Sequence, residues 1–534
     1  MILEQTDTNP EWNKSILRWI YKGKGNISDP NNYRGICLQD VVARYLSSIL
    51  SSRLLKMLDK EGIETQLGSQ PGRGCRDALY ILRSLLQVRR KHNLPSWTLF
   101  VDLEKAFDTV RHELLFKLLE TYGIPEAMID VIRRLYQNVT LKLSSGNAKD
   151  TIPYSVGVKQ GDAMAPVLFI VLMQAMAETL KSEWEEADIQ AKELRHFKDT
   201  PTHRGRMHGQ DWKAKGTPFT IDHILYVDDG VFIFDSKNDM EKGARILKTH
   251  MARFGLIMHI GRDGKKSKTE AVYFPPPGVE TTPEDVSQFG VDDDQGYITF
   301  TQKFQYLGSL FNTDLKDDRE VTARINKANL LLRSLTNVWR NKNITLKTKV
   351  IFYKAFCLNT ILWGCESIIL TATIEHKLET FQHKAIRFIL NINMHQVKDE
   401  RMKNEKVRAM FGNIDKVCDF ATRRRLDYIG HVLRQDDKKL TKKLLTCWIR
   451  CARTCGGQQS TLKDANFHAI NSLLLSNNLP VSKDCPTASW AKEALDPAVW
   501  NMRVKKTKYV RPTRRARKNE GHNPADENQV LTRT

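Results

Sequence analysis

Between Ile224 and Phe234 the chain reads ILYVDDGVFIF, a run of strand-forming apolar residues broken by two adjacent carboxylates, Asp228 and Asp229. An ionised carboxylate without a partner is strongly disfavoured in an apolar setting, and two neighbours repel each other. The pair must therefore stand in water, meet cations or bind metal. Asp-Gly between apolar runs is a hairpin signal, so strands over 221–227 and 231–234 are expected around a tight turn of Asp228, Asp229 and Gly230. That accounts for one Asp and leaves the other unexplained.

A third acid has a related setting. In WTLFVDLEKAFDTVRHELLFKLLETYGIP, residues 98–101 read as a short buried strand, and Ala106, Phe107, Val110, Leu114, Leu118 and Tyr122 then recur at helical spacing until Gly123 and Pro125. Asp102 stands at the carboxyl end of that strand; taken alone, a helix N-cap explains it. If the two strand units are neighbours in one antiparallel sheet, the three acids converge on one edge and offer the oxygen ligands that Mg²⁺ prefers. Two such ions about 4 Å apart activate an attacking hydroxyl and stabilise a leaving pyrophosphate.

Charge narrows the partner. Lys and Arg number 83 against 62 Asp and Glu, a formal net charge of +21, which implies a polyanion such as nucleic acid or an anionic membrane surface. At 534 residues the chain exceeds one ordinary domain. Its nine cysteines are scattered and odd in number, which speaks against a disulfide framework and for a reducing compartment. Cys447, Cys451 and Cys455, in CWIRCARTC, share i, i+4, i+8 spacing that puts three thiols on one helix face. A zinc site there needs a fourth ligand, and His468 and Cys485 lie at spacings unlike compact zinc patterns, so a partly buried helix face is the other reading. No apolar run is expected to reach membrane-spanning length, APVLFIVLMQAMAETL reading as a core helix, and no secretory signal is visible.

Elsewhere, a helix over 41–58 leads through the loop GSQPGRGC to a second helix over 78–88. Gly72 and Gly74 free that loop's backbone, and Arg73 and Arg76 either receive phosphate oxygens or form a solvated basic turn. Gln160 and Gly161 mark a tight turn before an apolar helix begun by Pro166, and a charged surface insertion is expected over 181–216, with His203 and His208 as solvated residues. A helix over 240–254, a short strand in KFQYLGSLF and helices from about 317 to 445 follow. Val321, Ile325, Ala328, Leu332, Leu335 and Trp339 mark one apolar stripe; Val350, Tyr353, Phe356, Cys357 and Ile361 mark another. The basic, apolar-poor end, RVKKTKYVRPTRRARKNEGHNPADENQ, reads as a disordered tail that contacts nucleic acid, directs nuclear import or merely solubilises.

FVDLEKAFDTV, GVKQGDAMAPVLF, YVDD, KSKT and YLGS stand in the order of the polymerase blocks of reverse transcriptases, and their wording resembles the non-LTR (LINE-type) retrotransposon branch. IYKGKGNISDPNNYRGICL, LKTKVIFYKAFCLNTILWGCES and GHVLRQDD resemble that branch too, so the likeness runs from Trp12 to Asp437. It implies an α+β, right-hand polymerase: N-terminal extension and fingers over 1–95, a palm with an antiparallel sheet over 96–315, a helical thumb over 316–375, a helical C-terminal region over 376–500 and the basic tail over 501–534. The implied activity is RNA-directed DNA synthesis with two Mg²⁺ ions, Mn²⁺ being the other candidate. Its partners would be an RNA template, a DNA primer or target and dNTPs, inside the cell with access to the nucleus and without a membrane. By resemblance Asp102, Asp228 and Asp229 are catalytic and hold metal, with Asp229 supporting. The same resemblance implies that Phe107, otherwise an ordinary core Phe, selects deoxyribose, that Gln160 and Gly161 pack against nucleotide and template, that Arg73 first and Arg34 second lie near the triphosphate and Lys268 near the leaving pyrophosphate, and that Tyr306, Leu307 and Gly308 grip the primer. The similar wording begins within a dozen residues of Met1, so a preceding endonuclease is not expected in this chain. A catalytically idle relic that only binds nucleic acid and an intron-maturase-like protein are the alternatives.

Overall fold

Strand Ser96–Val101 shows no polar alternation and all six of its residues are buried, the pattern of a strand covered on both faces. In the computed structural model, which describes residues 9–23, 25–145, 148–196, 216–292, 295–447, 449, 460–479 and 493–511, it is central to a six-stranded sheet. Strand Asp229–Phe234 pairs antiparallel with it from Trp97↔Phe234 to Val101↔Gly230, and strand Glu270–Phe274 pairs antiparallel on the other side. His223–Tyr226 closes one edge, while Tyr297–Phe300 and Phe289–Gly290 extend the other.

The two faces of this sheet feed separate cores. Trp97, Leu99, Val101, Phe232 and Phe234 pack with helices Ala165–Glu186 and Lys237–Arg253, whereas Phe100, Val231, Ile233 and Val272 pack with helix Cys75–Lys91. Strand alternation thus assigns each residue to one layer or the other. Helix Ala165–Glu186, begun by Pro166, is long and apolar enough by length and composition to cross a bilayer, which corrects the expected shortfall. Yet 72% of its most apolar window is buried within the fold, so it serves as the core helix that its sequence suggests.

A second sheet orders Tyr33–Leu38, Lys14–Tyr21, Val139–Ser145 and Ala148–Tyr154. It meets the larger body where the Cys37 amide donates to the Gln160 carbonyl at 2.7 Å. Among the described residues beyond 317 every regular element is a helix, with Val321, Ala328, Leu332 and Trp339 buried together. Their stripe is split, because helix Asp318–Ser334 stops and Thr336–Arg340 restarts it. The following stripe is corrected at one position: Tyr353, Cys357 and Ile361 are buried, but Phe356 is 44% exposed. A π-helical stretch over Tyr353–Leu358 widens the turn and breaks the 3.6-residue register.

Other local expectations also change. Ala106–Asp108 is a single 3₁₀ turn and the α-helix begins only at His112, so Asp102 does not cap a helix. KFQYLGSLF is a hairpin rather than one strand: Lys303–Tyr306 pairs with Ser309–Asn312, and both turn residues, Leu307 and Gly308, have positive φ, the hallmark of a type I′ turn. Residues 181–186 finish the core helix, and Leu194–His196 pairs with Thr217–Phe219, so the charged insertion has ordered shoulders. Cys447 follows helix Leu440–Thr446 on extended backbone and is buried, so it is not on a helix face with two other thiols. Cys451, Cys455, Cys485, His203 and His208 lie outside the described residues. Helix Pro497–Lys506 crosses the expected start of the tail and buries Trp500 and Val504.

Candidate active site

The acid hairpin turns one step earlier than Asp-Gly chemistry suggests. Tyr226 pairs with Asp229, so Val227 and Asp228 are the turn and Asp229 already belongs to the returning strand. Val227 has φ +59°, an outlier for a β-branched side chain. One step beyond the Val101–Gly230 pair lie Asp102 on the central strand and Asp229 on its neighbour. Antiparallel register thereby brings acids from distant segments to a common edge. The backbone of Asp102 is fixed there: its amide donates to Thr269 Oγ1 at 3.2 Å and its carbonyl accepts from the His259 amide at 2.8 Å.

Electrostatics ties the three together. Burial raises the Asp229 carboxyl, and the charges of Asp228 and Asp102 raise it further, to about 6. Asp228 is raised chiefly by burial, with Asp102 adding and its own amide and Arg34 opposing. Both side chains keep a face open to solvent, so protein crowds the pair without sealing it. Lys268 Nζ stands 3.8 Å from Asp102 Oδ2, with 67% and 44% of the two side chains exposed, a weak pairing in water. Among the described residues no Lys, Arg or His is ion-paired with Asp228 or Asp229. No three acidic, His or Cys side chains among those residues already form a closed ligand set, so the expected convergence is a shared edge rather than a finished shell. Hard carboxylate oxygens that repel one another and lack a protein cation suit a divalent ion.

The other expected site residues divide. Arg73 does not offer itself to a phosphate: its side chain is 5% exposed, and Nη1 donates to the carbonyls of Ile63 and Gln66 at 3.0 and 2.8 Å while Nη2 meets Glu64 at 3.0 Å. The loop needs those bonds for its own buried carbonyls. Arg34 is exposed, and its charge reaches Asp228. Phe107 is half-buried and stacks on Phe169, with ring centroids 4.9 Å apart. Gly161 has φ +113°, and an added Cβ would lie 2.8 Å from the Cys37 carbonyl; only glycine allows that approach. Beneath the turn of Gln160 and Gly161, buried Lys159 donates to the Leu135 carbonyl at 2.9 Å and lies over the Tyr136 ring.

Tyr306 is buried, and its phenol is held well above the usual range by burial first and by Asp229 next. The turn after it is anchored by the helical region, with Trp363 Nε1 donating to the Leu307 carbonyl at 3.3 Å and Arg324 to that of Gly308 at 2.9 Å. Sequence reasoning missed Gln66. Its Oε1 accepts from the amides of Val227 and Gly68 at 2.9 and 3.0 Å. A lone Gln has no sequence signature; the one hint is Gly68, two residues on.

Residues 20–311 match the family described as Reverse transcriptase (RNA-dependent DNA polymerase). The Pol polyprotein from type-2 retrotransposable element R2DM of Drosophila melanogaster is 31% identical over 156 residues, which are 29% of this chain and 14% of that one. The R2 Pol polyprotein of Popillia japonica is 28% identical over 160 residues, 30% of this chain and 22% of that one. The 115 kDa protein of R1DM from D. melanogaster is 28% identical over 172 residues, 32% and 16% of the two chains. The chain thus spans less than a quarter of each of these relatives. Apo telomerase from Candida tropicalis aligns with a TM-score of 0.39 at 13% identity, covering 83% of this chain and 71% of that one.

Proposed function

The chain belongs to the reverse transcriptase family, and on that premise we propose that it is the polymerase part of a non-LTR retrotransposon protein, extending a DNA primer with dNTPs along an RNA template. The observation that carries this reading is the register that places Asp102 across from Asp229, with Asp228 in the adjoining turn. Asp102 and Asp228 are the residues that would hold divalent ions, with Asp229 in support. Mg²⁺, when bound as a pair, supplies the charge that activates the primer hydroxyl and stabilises the leaving pyrophosphate.

The protein's own groups have distinct work. Phe107, its ring fixed against Phe169, would exclude a 2′-hydroxyl. Gly161 offers bare backbone for a nucleotide to pack on. Arg34, rather than the internally bonded Arg73, would meet the triphosphate from the fingers, and Lys268 would offset charge on the departing pyrophosphate. The hairpin bearing Tyr306, Leu307 and Gly308 would steady the primer end, a role supported by the effect of Asp229 on Tyr306. The net charge of +21 supports template binding that weakens steeply with salt.

The test is extension of a DNA primer annealed to RNA by purified protein, with dNTPs and Mg²⁺, comparing the parent with Asp102→Ala. Incorporation by the parent alone supports the proposal. Equal incorporation by both overturns it, and salt-sensitive binding without extension by either favours the binding-only alternative.

A further inference from the structure

The loop over 63–74, which in sequence suggests a phosphate cradle, is built around the acid turn instead. Gln66 is 1% exposed. Besides accepting from the Val227 and Gly68 amides, it directs Nε2 toward the Val227 carbonyl at 3.4 Å, so one side chain meets both polar backbone groups of that residue. Around it the loop lies along the edge strand: the Leu67 amide donates to the Leu225 carbonyl at 2.8 Å, and the Leu225 amide to that of Thr65 at 2.9 Å. Thr65 Oγ1 also meets His223 Nε2 at 2.7 Å. Arg73 fastens the far side of Gln66 through its carbonyl. A Cβ on Gly68 would lie 2.5 Å from the Val227 amide nitrogen and from its Cγ2, so only glycine lets loop and turn approach this closely.

A left-handed β-branched residue persists only where its surroundings over-determine it, and such strain gathers at functional sites. Here the strained residue, Val227 at φ +59°, immediately precedes Asp228. We propose that Gln66 is a positioning residue for catalysis: its amide holds Val227 in the left-handed conformation that turns Asp228 toward the shared acid edge. The buckle is closed by a side chain 161 residues away in sequence. Its catalytic consequence rests on the polymerase reading, whereas its geometry does not.

The test uses the full chain with Gln66→Met, which keeps volume and removes both polar groups, and with Gln66→Met combined with Val227→Gly. Glycine takes positive φ without strain, so the second change removes the need for a clamp. Hydrogen exchange is expected to accelerate over 224–230 in the single variant and to stay unchanged in the other strands of the sheet. In primer extension, kcat is expected to fall on the order of 10- to 100-fold, the scale of a displacement of about 1 Å at a reacting centre, while the KM for dNTP stays within about threefold. The double variant is expected to recover a large part of that loss, which a merely structural role for Gln66 would not produce. Unchanged exchange over 224–230, unchanged kcat in an active background, or no recovery by glycine overturns the proposal. If the parent itself extends no primer, the polymerase reading fails and the exchange measurement still decides the clamp. If the single variant does not fold, the double variant is expected to; failure of both also overturns it, since the amide would then serve the loop and not the turn.

Discussion

Two sets of acids bear on the hairpin formed by Lys303–Tyr306 and Ser309–Asn312, one through the charge of Asp229 on Tyr306 and one through the bonds of Glu320 to Ser309 and Leu310, and the protein treats them in opposite ways. On one side are Asp228 and Asp229, raised by burial and then by neighbouring carboxylates, Asp102 acting on Asp228 and both Asp228 and Asp102 on Asp229, with no arginine or lysine ion-paired to either among the described residues. On the other are Asp317 and Glu320, each buried with a guanidinium against it: Arg83 on Asp317 and Arg324 on Glu320. Glu320 also accepts from the Leu310 amide at 2.7 Å and Asp317 from that of Ile369 at 2.8 Å. Burial raises Asp317 too, but there the next contributions, from Arg83 and the Ile369 amide, pull it back down. The direction of a shift therefore does not separate the two sets; the sign of what surrounds each acid does. Glu320 and Arg324 hold the helical region to the hairpin, Asp317 holds it to helix Cys75–Lys91 through Arg83, and the acids answered by other acids are the ones proposed to take a cation.

The strongest test of that division is to remove one acid from each set. Asp228→Asn is expected to lower kcat on the order of 10³-fold or more, about 4 kcal/mol in barrier, without lowering the thermal midpoint, measured by extension assay and melting curve on one preparation. Asp317→Ala is expected to do the reverse. It leaves Arg83 buried without its counter-charge, which typically costs about 3–5 kcal/mol, and chemical unfolding would read that loss directly. If Asp317→Ala melts like the parent, or Asp228→Asn melts well below it, the two sets are not what their partners suggest.

The acid edge proposed as catalytic was largely legible in the sequence because charge in an apolar run is a conflict that few structures resolve. The YVDD segment stood out on that ground, Asp102 only beside it, and that their strands are neighbours was a condition the register now meets. What escaped was long-range or contrary to propensity. Val227 in a left-handed turn runs against β-branched preference, so the turn was expected one step later. Arg73 looked like a phosphate ligand because sequence shows its charge and not the carbonyls of Ile63 and Gln66 that consume its donors. The structural set was invisible for the same reason: nothing in DLKDDRE distinguishes the Asp317 that meets Arg83, 234 residues earlier, from an acid in a solvated first turn.

Arg73 sharpens the comparison from the loop side. It is a buried cation outside both sets, bonded mostly to carbonyls, and its removal exposes those acceptors to desolvation without a donor. Arg73→Met is expected to destabilise by about 1–3 kcal/mol, seen in denaturant midpoints, while the KM for dNTP in the surviving protein changes little. A large rise in that KM with unchanged stability would return Arg73 to the triphosphate and remove it from the structural side.

The smallest expected effect tests the electrostatic premise itself. Asp229 titrates near 6 in the folded protein against an ordinary value of 3.8, so between those values the folded state binds more protons than the unfolded one. Stability from this group is therefore fully present below about pH 4 and is lost as pH rises through 6. The carboxylate has an open face, so solvent screening reduces the contribution to about 1 kcal/mol. Asp229→Asn should accordingly be more stable than the parent by roughly that amount near pH 7 in the absence of divalent ions, and the advantage should vanish toward pH 4. Millimolar Mg²⁺ should close the gap near pH 7 by stabilising the parent more than the variant, because only the parent gains an ion where two charges repelled. A variant no more stable than the parent near pH 7 would mean that solvent already relieves the repulsion, and the acid edge would then lose its electrostatic claim on a cation.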